Sequence, residues 1–245
     1  MMRTTKCSPT YLAGFGLAVT VMSSQVVALA QPFIPPPIDP NIGTPRDRTG
    51  RIRRDDCPTV ATDPTAITPD VNNLSGYTTD ARPTLWVYLP YTLNISDSEA
   101  ENPVVQIGHS AKLEIDDDNG ERREYETIVN GDLIEPGIIA LTLPDSVPGL
   151  EIGGEFRWIL SVYCGDRDRQ VRPLTISGWI TRIEAGTTPD QQIWYDRLTE
   201  VGNALRNHPD NSEYQHQWTD LMQWVEVEGI ESAPIQDCCI LERTE

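Results

Sequence analysis

Between Cys57 and about Ile183 the apolar positions fall in short runs of β-branched and aromatic residues separated by turn residues. That pattern predicts a mainly β fold, an antiparallel β-sandwich of immunoglobulin-like or related type over 57–183. Strands are expected at Thr84 to Leu89, Val104 to Ile107, Lys112 to Asp116, Arg123 to Val129, Ile138 to Leu143, Phe156 to Cys164 and Leu174 to Ile183. The clearest hairpin spans Lys112 to Val129 and turns at Asn119-Gly120, two residues that tolerate positive φ. In the strand ending at Cys164, Phe156, Trp158, Leu160, Val162 and Cys164 alternate onto one face, which directs Cys164 toward the core. In the last strand Leu174, Ile176, Gly178 and Ile180 share a face, and Trp179 points to the other, where a large apolar ring needs cover.

The period then changes from two to about 3.6. Ile193, Trp194, Leu198, Val201 and Leu205 form one apolar stripe after a start at Pro189-Asp190, and His208-Pro209-Asp210-Asn211 breaks it. A second stripe, Trp218, Leu221, Met222 and Val225, stops at Gly229. A helix pair this small has little core of its own, so a C-terminal α-helical hairpin, 189–230, is expected to pack its stripes on the sandwich, with Trp179 among its contacts. Residues 231–245 carry no such period and read as a flexible tail.

Upstream of the strands the pattern is of another kind. Arg3 and Lys6, the apolar run Tyr11 to Met22 and Ala28-Leu29-Ala30 have the layout of a secretory signal peptide over 1–30, cleaved to leave Gln31 first. The apolar run is too short for the roughly 20 residues that span a bilayer, and no transmembrane segment is expected after cleavage. Residues 31–56 are rich in proline and carry five arginines, with no apolar period, and read as a disordered or extended tail. The expected location is therefore exported, periplasmic or extracellular.

Charge narrows the partners. The chain has 19 basic and 37 acidic residues. The leader holds two of the basic ones and none of the acidic, so the processed chain carries 17 against 37, a formal charge of −20. Such a surface repels nucleic acid and anionic headgroups. Four cysteines remain outside the leader: Cys57, Cys164, Cys238 and Cys239. In an oxidising compartment a Cys57–Cys164 disulfide is favoured, tying the first ordered segment to the core and contributing about 4 kcal/mol on the chain-entropy account. Neighbouring Cys238 and Cys239 could bridge each other only with strain, which favours thiols or contacts to another chain.

No motif fixes a chemistry. Asp116-Asp-Asp-Asn-Gly-Glu121 suggests calcium, but aligning Gly120 with the glycine of a helix-loop-helix calcium loop puts Ile115 at the first ligand position. An acidic hairpin turn is the better account. His109, His208 and His216 belong to no zinc-protease pattern, and a zinc set of His208, His216, Cys238 and Cys239 lacks the usual paired-ligand spacing. Neither a nucleophile elbow nor a phosphate or dinucleotide glycine loop occurs. Catalytic, cofactor-binding and metal residues are accordingly assigned to none of the positions.

Several spaced motifs occur together: Ala81-Arg-Pro-Thr-Leu-Trp-Val-Tyr-Leu-Pro-Tyr91, Pro136-Gly-Ile-Ile139, Phe156-Arg-Trp158 with Cys164, Gly178-Trp-Ile180 and Ile193-Trp-Tyr-Asp196. In this order they resemble the cyanobacterial family called domain of unknown function 928, over most of the chain from Cys57 to about Leu221. The chain departs from it before the first cysteine, with Arg51-Ile-Arg-Arg54 in place of a glycine-rich basic stretch. The resemblance implies an exported cyanobacterial protein and supplies no catalytic residues. The expected function is a non-enzymatic envelope or extracellular binding or scaffolding module, whose partner is a protein or glycan. The alternatives are a polysaccharide-acting enzyme using carboxylates brought together by folding, and a calcium-stabilised module.

Overall fold

The structure, a computed structural model, describes residues 33–34, 60–69, 76–94, 107–116, 122–128, 133–146, 148–164, 173–189, 192–225, 227–236 and 240–243. All of them fall within the unit Gln31–Glu245. The expected leader 1–30, most of the arginine-rich tail, Cys57 and the Asn119-Gly120 turn lie outside the described residues.

The fold is mostly β with two C-terminal helices. A three-stranded antiparallel sheet has the order β1 (Thr65–Ala66), β3 (Thr84–Leu89), β8 (Gly137–Thr142). The larger sheet runs β11 (Ile240–Arg243), β6 (Arg122–Ile128), β5 (Ile107–Asp116), β9 (Glu155–Cys164), β10 (Leu174–Arg182), β2 (Gly76–Thr78). Two short strands, β4 (Leu93–Asn94) and β7 (Leu133–Ile134), join it beside β5. The sheet is mixed, whereas a purely antiparallel one was expected: β2 lies parallel to β10, and β4 parallel to β5. A parallel neighbour needs a long crossover, and most of the strands lie between β2 and β10 in sequence.

Alternation sorts the strands as the sequence predicts. In β9, Phe156, Trp158, Leu160 and Val162 are buried and Arg157 and Ile159 only half-buried. In β10, Leu174, Ile176 and Ile180 are buried, Thr175 is exposed and Trp179 half-buried. The central strand of the smaller sheet differs, since every residue of β3 except Tyr88 is buried. Cover on both faces explains its unbroken apolar run between Pro83 and Pro90, where the missing proline donors cost the ladder nothing inside the strand.

Helices α1 (Trp194–Asn207) and α2 (Ser212–Met222) flank the break at 208–211, and Asn211 caps α2 by accepting from the Glu213 amide at 2.9 Å. The first helix opens at Trp194 rather than near Pro189. Its N-cap, Ile193, is extended and offers no side-chain acceptor, so packing of Trp194 and Tyr195 sets the start in place of capping. α1 meets strands of both sheets. The Trp86 indole of β3 donates to Thr199 Oγ1 at 3.1 Å, and the Trp158 indole of β9 to Tyr195 Oη at 2.9 Å. α2 adds Trp218, whose ring lies 5.8 Å from that of Trp86. One core cluster thus draws side chains from both sheets and both helices.

Three features were not foreseen in the sequence. Phe33, inside the stretch read as a disordered tail, is buried, with its ring centroid 4.8 Å from Trp194 and 5.7 Å from Trp224 in edge-on contacts. An isolated aromatic surrounded by prolines has no period to announce it, and two indole faces on the helical side supply the reason it docks. Residues 231–245, read as a flexible tail, hold β11, which pairs with β6 from Ile240↔Ile128 to Arg243↔Tyr125 and buries Leu241. The same stretch covers the edge of β8, where the Ile138 amide donates to Pro234 O and the Gln236 amide to Ile138 O, both at 2.8 Å. Unpaired ladder groups at a sheet edge call for such cover. Finally, Trp179 is reached by the helices through its backbone: Tyr195 Oη donates to its carbonyl at 3.0 Å, and the residue stays outside the core cluster.

Candidate functional site

Two polar constellations are built by these elements, one where α1 meets β2 and one on the face of the larger sheet turned away from the core.

At the junction, β2 ends in Thr78 and runs on to Thr79 and Asp80, while Asp196 sits in the first turn of α1. Thr78 Oγ1 donates to Asp196 Oδ1 at 2.6 Å, and the Thr79 amide and hydroxyl both donate to Oδ2, the amide at 3.0 Å. A carboxylate at the positive end of a helix, accepting from three donors, is an anchor that joins strand to helix. Around it Asp80, Pro83, Thr84, Tyr195, Thr199 and Glu200 line a hollow of about 380 Å³. Asp80 accepts from the Arg82 amide at 2.9 Å, and Glu200 pairs with Arg197 at 2.6 Å. Each carboxylate of the hollow is therefore engaged by a donor. Beneath them Tyr195 is fully buried, and burial pushes its phenol far above the ordinary tyrosine value while the Trp158 hydrogen bond pulls the other way. It stays protonated and acts as a donor to Trp179 O.

On the outer face, register makes neighbours of residues distant in sequence. Arg122 of β6 pairs with Asp116 of β5, Asp116 with Arg157 of β9, and Arg157 with Trp179 of β10. Directly paired residues on one face stand about 4.5–5.5 Å apart at Cβ. Arg122 grips Asp116 with two nitrogens, Nε to Oδ1 at 2.7 Å and Nη2 to Oδ2 at 3.0 Å, and reaches Glu114 at 3.0 Å. Asp116 is thereby satisfied on the Arg122 side. Arg157, half-buried, has no hydrogen bond or ion pair among the described residues. Beside it the next row places Glu114, Ile159 and Ser177 in line, and the row after that Lys112, Ser161 and Thr175. Ser161 and Ser177 are 7% and 4% exposed and so are buried although they belong to this face. The outer face thus sets an indole and an uncommitted guanidinium directly opposite each other, in the row next to a buried serine.

The candidates singled out by sequence are dispersed. Asp116 is held by Arg122, and the rest of the acidic run, 117–121, lies outside the described residues, as do Cys238 and Cys239. His208 and His216 are both exposed. Among the described residues no group of three or more His, Cys, Asp or Glu could hold a metal ion. The backbone of Cys164 closes β9 opposite Ile107, while its presumed partner Cys57 is not described. Sequence reasoning missed the Asp196 anchor, whose donors lie over a hundred positions away and leave no local signal. Trp179 was legible as an outward residue, but its pairing with Arg157 exists only through register.

No helix of the described residues is long and apolar enough to cross a membrane. The model of a family described as Domain of Unknown Function (DUF928) matches residues 48–193 and 188–235. No curated protein and no solved structure matches the chain.

Proposed function

Since the chain belongs to the DUF928 family, whose description assigns no activity, we propose from its own residues that it is an exported, non-enzymatic binding or scaffolding module of the cell envelope or extracellular space. The leader pattern of residues 1–30 supports export, and the two sheets that share one core support a β-sandwich of immunoglobulin-like or related type. A Cys57–Cys164 disulfide belongs to the same reading, because the oxidising compartment favours it.

The observation that carries the binding role is the Arg157–Trp179 pair on the outer face of the larger sheet. A large ring and an uncommitted cation, both kept out of the core, are what an interaction surface retains and a purely structural face discards. Asp196 of the α1–β2 hollow is taken up in joining strand to helix, and Asp80 and Glu200 each accept from a local donor, which weighs against the polysaccharide-cleaving alternative, since that chemistry needs two carboxyl groups free to face a substrate.

The test is a photo-crosslinking amino acid placed at exposed Thr175 on the outer face, or at exposed Ile152 as a control, in the protein made in its own host. A crosslinked envelope protein or glycan obtained from position 175, absent from position 152 and lost with Trp179→Ala, is the expected result. Equal products from both positions, or none from either, would overturn the proposal.

A further inference from the structure

We infer, resting on the binding reading above, that Arg157 and Trp179 form a subsite for a pyranose ring bearing a carboxylate, a uronic-acid unit within a sparsely charged polysaccharide. The indole offers a flat apolar face, and sugar rings present matching patches of C–H; the guanidinium offers paired donors whose geometry suits a carboxylate. Both come from residues directly opposite each other on β9 and β10, so ring and carboxylate of one sugar unit can be met at once. Arg122 does not compete for the ligand, because its fork is committed to Asp116 and Glu114.

The charge of the whole molecule decides which polymer fits. A chain with formal charge −18 repels a dense polyanion at long range. That repulsion is screened beyond about 10 Å at 0.1 M salt, whereas a half-buried contact pair is screened much less. An isolated uronate among neutral sugars therefore meets the attraction of Arg157 with little of the repulsion. Binding should accordingly be tighter at 0.15 M salt than at 0.01 M, the reverse of an ordinary surface ion-pair complex.

The probes are glucuronosyl-xylotriose, which carries one uronate among neutral sugars, its methyl ester and neutral xylotriose, titrated into the full processed chain and followed by calorimetry and tryptophan fluorescence. The acid is expected to bind about tenfold or more tightly than its ester, as the loss of one charge-assisted pair requires. Arg157→Gln should erase that difference, and Trp179→Ala should remove binding of both, with Trp179→Phe retaining part of it. Matched melting curves establish that the variants fold. Ester binding as tight as acid, or an unaltered preference in Arg157→Gln, overturns the subsite. Absence of all sugar binding while the Thr175 crosslink persists overturns it too, yet leaves the binding module standing; loss of both removes the module as well.

Discussion

Trp158 in β9 and Tyr195 in α1 are joined by a 2.9 Å hydrogen bond from indole nitrogen to phenol oxygen, with both residues almost completely buried. Tyr195 passes the chain of bonds on to the Trp179 carbonyl at 3.0 Å, so one phenol ties helix, β9 and β10 together. Tyr195→Phe keeps the ring and removes the oxygen, leaving the buried Trp158 indole without its acceptor and the Trp179 carbonyl without the phenol donor. The expected cost is about 1–3 kcal/mol in urea unfolding, the penalty of an unsatisfied buried donor.

The same phenol sets the alkaline limit. Burial raises Tyr195 above its ordinary value of 10.0, and Tyr91 moves the same way through burial and then the nearby charge of Asp63. Above pH 10 the unfolded chain loses these protons and the folded one keeps them. Stability is thus fully present below about pH 10 and declines as the pH climbs beyond it, by up to about 1.4 kcal/mol per unit for each tyrosine so held. Urea midpoints at pH 8, 9.5 and 11 measure the decline, and Tyr195→Phe should flatten part of it. A midpoint unchanged up to pH 11 would contradict the argument.

Asp196 is expected to matter for stability rather than for turnover. In Asp196→Asn the amide nitrogen replaces one acceptor facing the donors of Thr78 and Thr79. Loss of a charge-assisted contact costs about 1.5–3 kcal/mol. Faster hydrogen exchange at the Thr79 amide would locate the damage at the strand–helix junction.

Gly202 allows α1 to lie against β3. A Cβ there would come within 2.5 Å of the Trp86 ring, which is itself held by Thr199 and packed on Trp218. In an exposed helix Gly→Ala gains about 1 kcal/mol. Here overpacking, at about 1–3 kcal/mol, should outweigh it, so Gly202→Ala is expected to lower the melting temperature.

Phe33 is expected to stabilise the helical side although it is about 160 residues away from α1 in sequence. Its ring is 5% exposed against Trp194 and Trp224. Phe33→Ala should cost about 2–3 kcal/mol, somewhat under the usual figure for a buried phenylalanine because the two flanking indoles can partly close over the space it leaves. Altered tryptophan emission in the folded state should accompany the loss, and an unchanged melting curve would mean that Phe33 is not seated there.

What the sequence determined by itself is local. Alternation in Phe156 to Cys164 and Leu174 to Ile183, the proline-bounded run Thr84 to Leu89, and the two helical stripes all follow from a side-chain period that each segment carries alone. The expectation of no nucleic-acid partner rests likewise on charge that needs no structure. Strands of two or three residues, such as β1, β2, β4 and β7, were invisible, because so few positions cannot display a period. Long-range relations belonged to tertiary structure for a related reason. Nothing near Phe33 predicts two indoles as its seat, nothing near Asp196 predicts Thr78, and nothing in either strand predicts that Arg157 stands opposite Trp179. Register and docking are fixed by the free energy of the assembled core, which is a sum over partners brought together by folding and has no counterpart along the chain.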